Sequence, residues 1–339
     1  MSDFTIGDVE VTKVPEWIGE IAPARVIIPD STPQIWRDNQ AWLAPDHWNP
    51  DTDGYHAAVQ TWVLRSEGKT VLVDTGVGDG RDRPQIPMFD HLDTGFLDRL
   101  AAAGVRADEV DVVVNTHIHY DHVGWNTIGG DGDWEPAFPN ATYLIPAVDQ
   151  RYFAPENAHR RPAPRSDNER LRQQGSLLVY ADSIAPVLAK ATLWEDTYRV
   201  DGNLTLEPAP GHTPGSAVLR VRSRGHRAVF VGDVMHSPVQ ILEPEYNSCF
   251  CEDRPQAAAT RHRLLERAAD EVEIVIPAHF AGAGAVEVER QGDRFQVAAG
   301  VCGSFNPGIV HHASPGFGRA RSGRLCAGLG SRGRARRNR

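Results

Sequence analysis

Signals for disulfides, membrane spans and export are all missing from this chain. Its four cysteines, Cys249, Cys251, Cys302 and Cys326, are too few and too clustered for a disulfide framework. Cys249 and Cys251 are one residue apart and read as ordinary thiols rather than a zinc pair. The longest apolar runs fall far short of the roughly 20 residues a membrane helix needs. The first residues, Met1-Ser2-Asp3-Phe4-Thr5-Ile6, have neither a basic start nor an apolar stretch. No signal peptide is therefore expected, and the cytoplasm is the expected location. Positive charge is also scarce, except at one end. Of 35 basic residues, eight are arginines between Arg319 and Arg339, where no acid occurs, which leaves 27 basic against 45 acidic residues elsewhere. An acidic body argues against binding nucleic acid through a broad surface. The Gly/Arg-rich stretch 319–339 has no apolar periodicity and reads as a disordered extension rather than a nucleic-acid or membrane tether.

The remaining composition, 41% hydrophobic and 24% charged over 339 residues, is that of a globular protein of one large domain or two ordinary ones. Alternation predicts a strand over 9–14. Residues 15–55 are rich in proline and tryptophan (Trp17, Trp36, Trp42, Trp48) with little periodicity, and read as a packed surface arm wrapping the body. Strands are expected over 59–65 and 70–74, joined by a Ser66-Glu67-Gly68-Lys69 hairpin turn. A helix is expected over 94–104, and strands over 110–115 and 142–145. Residues 147–190 read as an inserted helical region whose basic run, 160–165, is a solvated face. Strand character resumes over 192–207, and further apolar strands fall at 217–221, 228–231 and 274–276. An amphipathic helix is expected over 254–269.

The chemistry concentrates in 115–126, Asn-Thr-His-Ile-His-Tyr-Asp-His-Val-Gly-Trp-Asn. Four potential ligands, His117, His119, Asp121 and His122, follow the apolar run Val112-Val113-Val114. Packing has no use for such a group, whereas imidazole nitrogen and carboxylate oxygen suit Zn(II) and its neighbours. Alternate residues of an extended segment share a side, so His117 and His119 can close on one ion. Asp121 and His122, beyond the bend, can reach a second. Three more candidates sit just past apolar strands or in tight turns: His212 in Pro210-Gly211-His212-Thr213-Pro214-Gly215, Asp233 after Gly232, and His279 after Pro277-Ala278. His117, His119 and His212 can then serve a first metal, and Asp121, His122 and His279 a second, with Asp233 bridging. Each ion keeps an open position, the mark of a catalytic site, so the expectation is metal-assisted hydrolysis by a metal-bound hydroxide. Asp74, at a strand end in Val73-Asp74-Thr75-Gly76, is a candidate to orient a ligating histidine, or equally a turn cap.

His117-Ile118-His119-Tyr120-Asp121-His122 with His212, Asp233 and His279 in that order resembles the metallo-β-lactamase superfamily, and Asp74 matches its first motif. Periodicity alone yields only a mixed α/β domain. The resemblance implies a four-layer αβ/βα sandwich over a single domain, 1–318, with the metals at one edge. Within the superfamily the chain is most similar to the branch of N-acyl homoserine lactonases and methyl parathion hydrolase-like enzymes. That similarity rests on the long arm, the gap from His122 to His212, and Gly232-Asp233-Val234-Met235-His236. It implies two divalent ions, most simply Zn2+ with Mn, Co or Fe as substitutes, and a small lactone or ester substrate. Organophosphate hydrolysis and glyoxalase II-like thioester hydrolysis are the alternatives. Asp121 and His236 are the residues assigned to catalysis. His236 stands where lactonases of this group often place a substrate-binding tyrosine, and can act as a donor to the substrate carbonyl or as a packing residue. The tryptophan-rich arm suggests a homodimer contact.

Overall fold

In the computed structural model, which describes residues 3–130 and 132–298, the apolar runs become the centres of two mixed sheets. The first sheet has the order β1 (Asp3–Ile6), β2 (Val9–Pro23), β4 (Gly54–Ser66), β5 (Lys69–Val73), β6 (Val112–Val114), β9 (Thr142–Pro146) and β10 (Ala191–Trp194). The short β3 (Trp48–Asn49) pairs with β4. Pairing is antiparallel as far as β5 and parallel from β5 to β10. The second sheet runs in sequence order: β11 (Tyr198–Arg199), β12 (Leu204–Pro208), β13 (Ala217–Ser223), β14 (His226–Gly232), β15 (Ile274–Pro277), β16 (Val286–Gln291) and β17 (Arg294–Val297). Only β14 and β15 are parallel in it. A separate hairpin, β7 (Thr127–Gly130) with β8 (Asp133–Pro136), follows the histidine-rich loop.

Period-two geometry explains the layers. Val71, Val73, Val112 and Val114 face the second sheet and pack with Leu206, Leu219, Val221, Phe230 and Ile276. Leu72 and Val113, between them, point the other way into a cluster with Phe96, Leu100 and Ile184. On the far side Val229, Val231 and Val275 meet Leu264, Leu265 and Ala268 of the helix Arg254–Glu271. Both central strands are apolar on both faces because helices cover the outside. The architecture is the αβ/βα sandwich. Each fully buried Val, Leu or Phe in these layers contributes about 1.5–3 kcal/mol.

The helices are α1 (Ala24–Ile27), α2 (Pro33–Asp38), α3 (Gln40–Leu43), α4 (Phe96–Ala102), α5 (Ala147–Phe153), α6 (Asp167–Val179), α7 (Val239–Leu242) and α8 (Arg254–Glu271). The region expected to be helical over 147–190 contains α5 and α6 followed by a π-helical turn, Tyr180–Ile184, and a 3-10 turn. Ser166 and Asp253 cap α6 and α8 by accepting the N–H groups of Glu169 and Gln256. The expected hairpin forms between β4 and β5, with Glu67 and Gly68 both at positive φ.

The arm departs from expectation. Its first part is no irregular wrap: β2 continues to Pro23 and pairs with β4 along its whole length. Two register shifts, at Pro15/Trp17 and Glu20/Ala22, break the alternation that would have marked the strand. The rest folds as three short helices closed over Trp36 and Trp48, whose rings lie 6.1 Å apart. Among the described residues no helix is long and apolar enough to cross a membrane. The described residues fall in one unit, Met1–Asn306. The expected boundary at 318, the tail 319–339 and Cys302 and Cys326 lie outside the described residues.

Candidate metal centre and the cavity above it

Every predicted ligand leaves its strand at the same edge of the sandwich. The loop from Asn115 follows β6, Asp233 follows β14, His279 follows β15, and the turn holding His212 enters β13. Close backbone approach makes this convergence possible. A Cβ on Gly232 (φ +50) would stand 2.7 Å from Thr116 Oγ1, and one on Gly124 would overlap the Val77 carbonyl. The ligand loop is thus pressed against both the end of β14 and the turn after β5.

The seven side chains form two groups. His117, His119, His212 and Asp233 bring one donor atom each to within 4.8 Å of one another, and Asp121, His122 and His279 do the same. His119 Nδ1 lies 3.0 Å from His117 Nε2 and 2.9 Å from His212 Nε2. Asp233 stands between the groups. Its Oδ1 is 3.0 Å from His279 Nε2 and 3.3 Å from His122 Nε2, while its Oδ2 is 3.2 Å from His212 Nε2 and 3.6 Å from His117 Nε2. Asp121 Oδ2 is 3.5 Å from His279 Nε2. His122 Nε2 and Asp233 Oδ1 are buried without a hydrogen-bond partner. Converging ring nitrogens and two orphaned donor atoms are costly in a closed polar cluster and suit divalent cations, so the residues present fit the metals that the resemblance implies.

Charge is arranged to the same end. Desolvation holds His117 and His119 well below the usual histidine range, in the neutral form that ligates metal. The same burial acts on His122 but is outweighed by Asp233, Asp74 and Asp121, which hold it well above that range. His212 is pushed up to about 10, with Asp233 outweighing its burial. For Asp233 desolvation works upward, yet the surrounding histidines keep the carboxyl well below its usual value. An acidic field that favours imidazolium here would equally stabilise a bound cation.

The far nitrogens are held as well. His122 Nδ1 is 2.8 Å from Asp74 Oδ2, and Asp74 also accepts from the Thr116 N–H and hydroxyl, both at 2.8 Å. Asp74 is therefore in place to orient a histidine. It adopts a left-handed backbone (φ +55) to do so. His279 Nδ1 lies 2.9 Å from the Ala58 carbonyl, which leaves Nε2 directed at Asp233.

Three supporting groups escaped sequence reasoning. Asp149, at the start of α5 and fully buried, accepts from Ile118 N, Thr213 Oγ1 and Gly215 N at 3.1, 2.7 and 2.6 Å. It ties the His117–His119 segment to the His212 turn. Glu16 on β2 accepts from Val77 N at 2.6 Å, Gly78 N at 3.1 Å and Trp125 Nε1 at 2.7 Å, bracing the other end of the ligand loop. Cys251 Sγ lies 3.8 Å from His212 Nδ1.

His236 sits beside the Asp233 carboxylate, its Nε2 3.1 Å from Asp233 Oδ2 and 3.4 Å from Ser248 Oγ. Its ring stacks near Phe250 at 6.1 Å, and Tyr55 donates to its backbone carbonyl at 2.7 Å.

Above this floor opens a cavity of about 850 Å³, bordered by His119, Asp121, Asp233, His236 and His279. One wall is apolar: Ile21, Ala22, Val26 and Ile27 from the arm, with Ile86, Pro87 and Met88. The arm therefore lines the site, and the expectation of a mere surface wrap is corrected. The polar lining comes from α6 and the segment before α8, where the Cys249 N–H bonds to the Ile27 carbonyl of the arm at 2.8 Å. Of the basic run expected on a solvated face, Arg160 and Arg165 are exposed, but Arg161 is half-buried and bonded to Tyr152 O, Phe153 O and Ser176 Oγ. The insertion is pinned to the body by Asp182, which takes two bonds from Arg83, at 2.7 and 3.0 Å, and lies 3.3 Å from Arg81.

With known proteins the chain compares as follows. A family model described as "Metallo-beta-lactamase superfamily" matches residues 55–279. A "Probable metallo-hydrolase" of Mycobacterium tuberculosis is 30% identical over 190 residues, 51% of this chain and 56% of that protein. The N-acyl homoserine lactonase AttM of Agrobacterium fabrum is 31% identical over 139 residues, 40% of this chain and 44% of that protein. The chain thus spans about half the length of these curated relatives. Among solved structures, AidC, a dizinc quorum-quenching lactonase with a bound product, superposes with a TM-score of 0.71 at 20% identity, covering 87% of this chain and 96% of that one.

Proposed function

The chain belongs to the metallo-beta-lactamase superfamily, and from that membership we propose that it is a metal-dependent hydrolase that opens a lactone or cleaves a carboxylic ester. The observation that carries this reading is the pair of ligand groups sharing Asp233 at the floor of a half-apolar cavity. Similarity to an N-acyl homoserine lactonase supports the substrate class. His117, His119 and His212 would hold one divalent ion, Asp121, His122 and His279 the other, with Asp233 between them. Zinc suits this donor set. Bound there, the ions supply Lewis acidity and an activated water.

The chain's own groups do the rest. Asp121 is half-buried at the cavity floor, so its carboxylate is placed to hold a proton beside the reacting carbonyl as well as to ligate. His236 directs Nε2 at Asp233, a contact that favours orienting the bridging carboxylate over donating to substrate from that nitrogen. Asp74 and Asp149 keep the ligand-bearing loops in register. The apolar wall receives the acyl portion and excludes water from it.

The test is metal content together with lactone and aryl-ester hydrolysis, before and after His122→Ala. We expect loss of metal from its group and a rate lower by about a hundredfold or more, the scale of removing a charge-stabilising element. An unchanged rate with both ions gone would refute the reading.

A further inference from the structure

A histidine that ligates through one ring nitrogen needs a partner at the other to hold its ring and its tautomer. For His122 and His279 these partners are Asp74 and the Ala58 carbonyl. His117 Nδ1 lies 3.1 Å from the Thr116 hydroxyl. His212 differs. Its Nε2 faces His119 Nδ1 and Asp233 Oδ2, so Nε2 is the ligating nitrogen and the neutral ring carries its proton on Nδ1. Among the described residues, the atom that meets Nδ1 is the sulfur of Cys251, at 3.8 Å.

The backbone brings this thiol to its place. Glu252 donates its N–H to the His212 carbonyl at 2.9 Å, and Asp253 donates to the Gly211 carbonyl at 3.0 Å. The residues after Cys251 are thereby tied to the turn that carries His212. On the other side Cys249 is tied to the arm, and the Cys251 N–H bonds to the Ser248 carbonyl at 3.3 Å. Ser248, fully buried, places its hydroxyl 3.7 Å from Cys251 Sγ and 3.4 Å from His236 Nε2. His236 Nε2 reaches Asp233 Oδ2, which reaches His212 Nε2. The contacts thus close a ring through His212, Cys251, Ser248, His236 and Asp233.

Resting on the ligand grouping of the hydrolase reading, we propose that Cys251 is a positioning residue for the metal site at His117, His119 and His212. Its sulfur accepts the His212 Nδ1–H, fixes the tautomer and keeps Nε2 turned to the other ligands. A thiol sulfur is a weak acceptor, whereas His122 has a carboxylate at the same place. The second group also brings a carboxylate of its own, Asp121. The two sites are therefore unequal. The ion at His117, His119 and His212 is the more weakly held, and its retention depends on Cys251.

Zinc titration of the full chain against a chromophoric chelator tests this, with Cys251→Ser and Cys251→Val compared with the native protein. Serine keeps an acceptor; valine fills the space and accepts nothing. The native protein should bind two ions with different affinities. In Cys251→Val the weaker affinity should fall by about ten- to a hundredfold while the tighter one holds, and Cys251→Ser should recover most of the loss. Cys251→Ala repeats the valine test without added bulk, and unchanged circular-dichroism melts of the metal-free variants verify their fold. The Co2+-loaded native protein should show no sulfur-to-cobalt charge-transfer band, since the thiol touches the ligand and not the ion. Such a band overturns the role. So do two equal affinities in the native protein, affinities unchanged in every variant, or serine losing as much as valine or more. Each of these leaves the hydrolase reading standing. A native protein that binds no zinc overturns the ligand grouping and the hydrolase reading with it.

Discussion

At the floor of the cavity one carboxylate, Asp233, lies within 3.6 Å of a ring nitrogen from each of five histidines. On the wall above, charges of both signs, Arg165 and Arg172 with Glu169 and Glu252, border the same space. The floor is assembled from strand ends that the sandwich fixes in place, and His122 and His279 have their far nitrogen tied to Asp74 and to a backbone carbonyl. The walls come from an arm and an insertion, although Val179, Tyr180 and Ile184 of the insertion also pack into the core behind the first sheet. A rigid floor and a borrowed wall separate two tasks, reaction type in one and substrate choice in the other.

The largest effect should come from the floor. Asp233→Asn keeps the shape but replaces the charge that balances the surrounding imidazoles, and an amide cannot present two anionic oxygens to two groups. We expect hydrolysis to fall by a hundredfold or more, with metal content by elemental analysis reduced as well. Full activity with full metal content would mean that the two halves of the floor work independently. The wall should respond differently. Asp182→Asn leaves Arg81 and Arg83, almost fully buried, without their shared counter-charge. Breaking such a buried arrangement costs about 3–5 kcal/mol, so thermal unfolding should shift well downward. Metal stoichiometry measured on the folded protein at low temperature should hold, while KM for long acyl substrates rises. Loss of metal in this variant would erase the distinction between wall and floor.

The same division governs how much could be read from the sequence. That His117, His119, Asp121, His122, His212, Asp233 and His279 gather at one edge was legible because they are concentrated just past apolar strands. Val112–Val114 was legible because a strand buried on both faces has to be apolar throughout. Asp149 and Glu16 were not. Their importance lies in hydrogen bonds to residues 31–66 and 61–109 positions away, respectively, and a lone acid carries no sign of its partners. The arm was misread for a local reason, since two bulges shift the phase of β2 and hide a fifteen-residue strand. The cavity wall was illegible because it depends on which face of α6 turns inward, and that is set by tertiary packing.

Glu16 joins the two regions, for it lies on the arm's strand yet braces the ligand loop through Trp125. Burial raises its carboxyl to about 7 in the folded protein, against the N–H bonds from Val77 and Gly78 and the indole of Trp125 that act to lower it. The unfolded value is near 4.3, so between the two the native state binds a proton that the unfolded chain does not. Stability from this group is then fully present below about pH 4 and is lost as pH rises through 7, with a slope of at most about 1.4 kcal/mol per pH unit. Glu16→Gln has no proton to lose. Its amide cannot accept all three N–H groups, so near pH 4 the variant should be less stable by about 1–3 kcal/mol. The gap between it and the native protein should narrow from pH 5 to pH 7, and denaturant melts of both at several pH values give this difference directly. A gap that stays flat over this range would mean that the three N–H donors outweigh burial and that Glu16 is ionised throughout. The arm would then hold the floor by a permanent charge rather than by a proton-sensitive one.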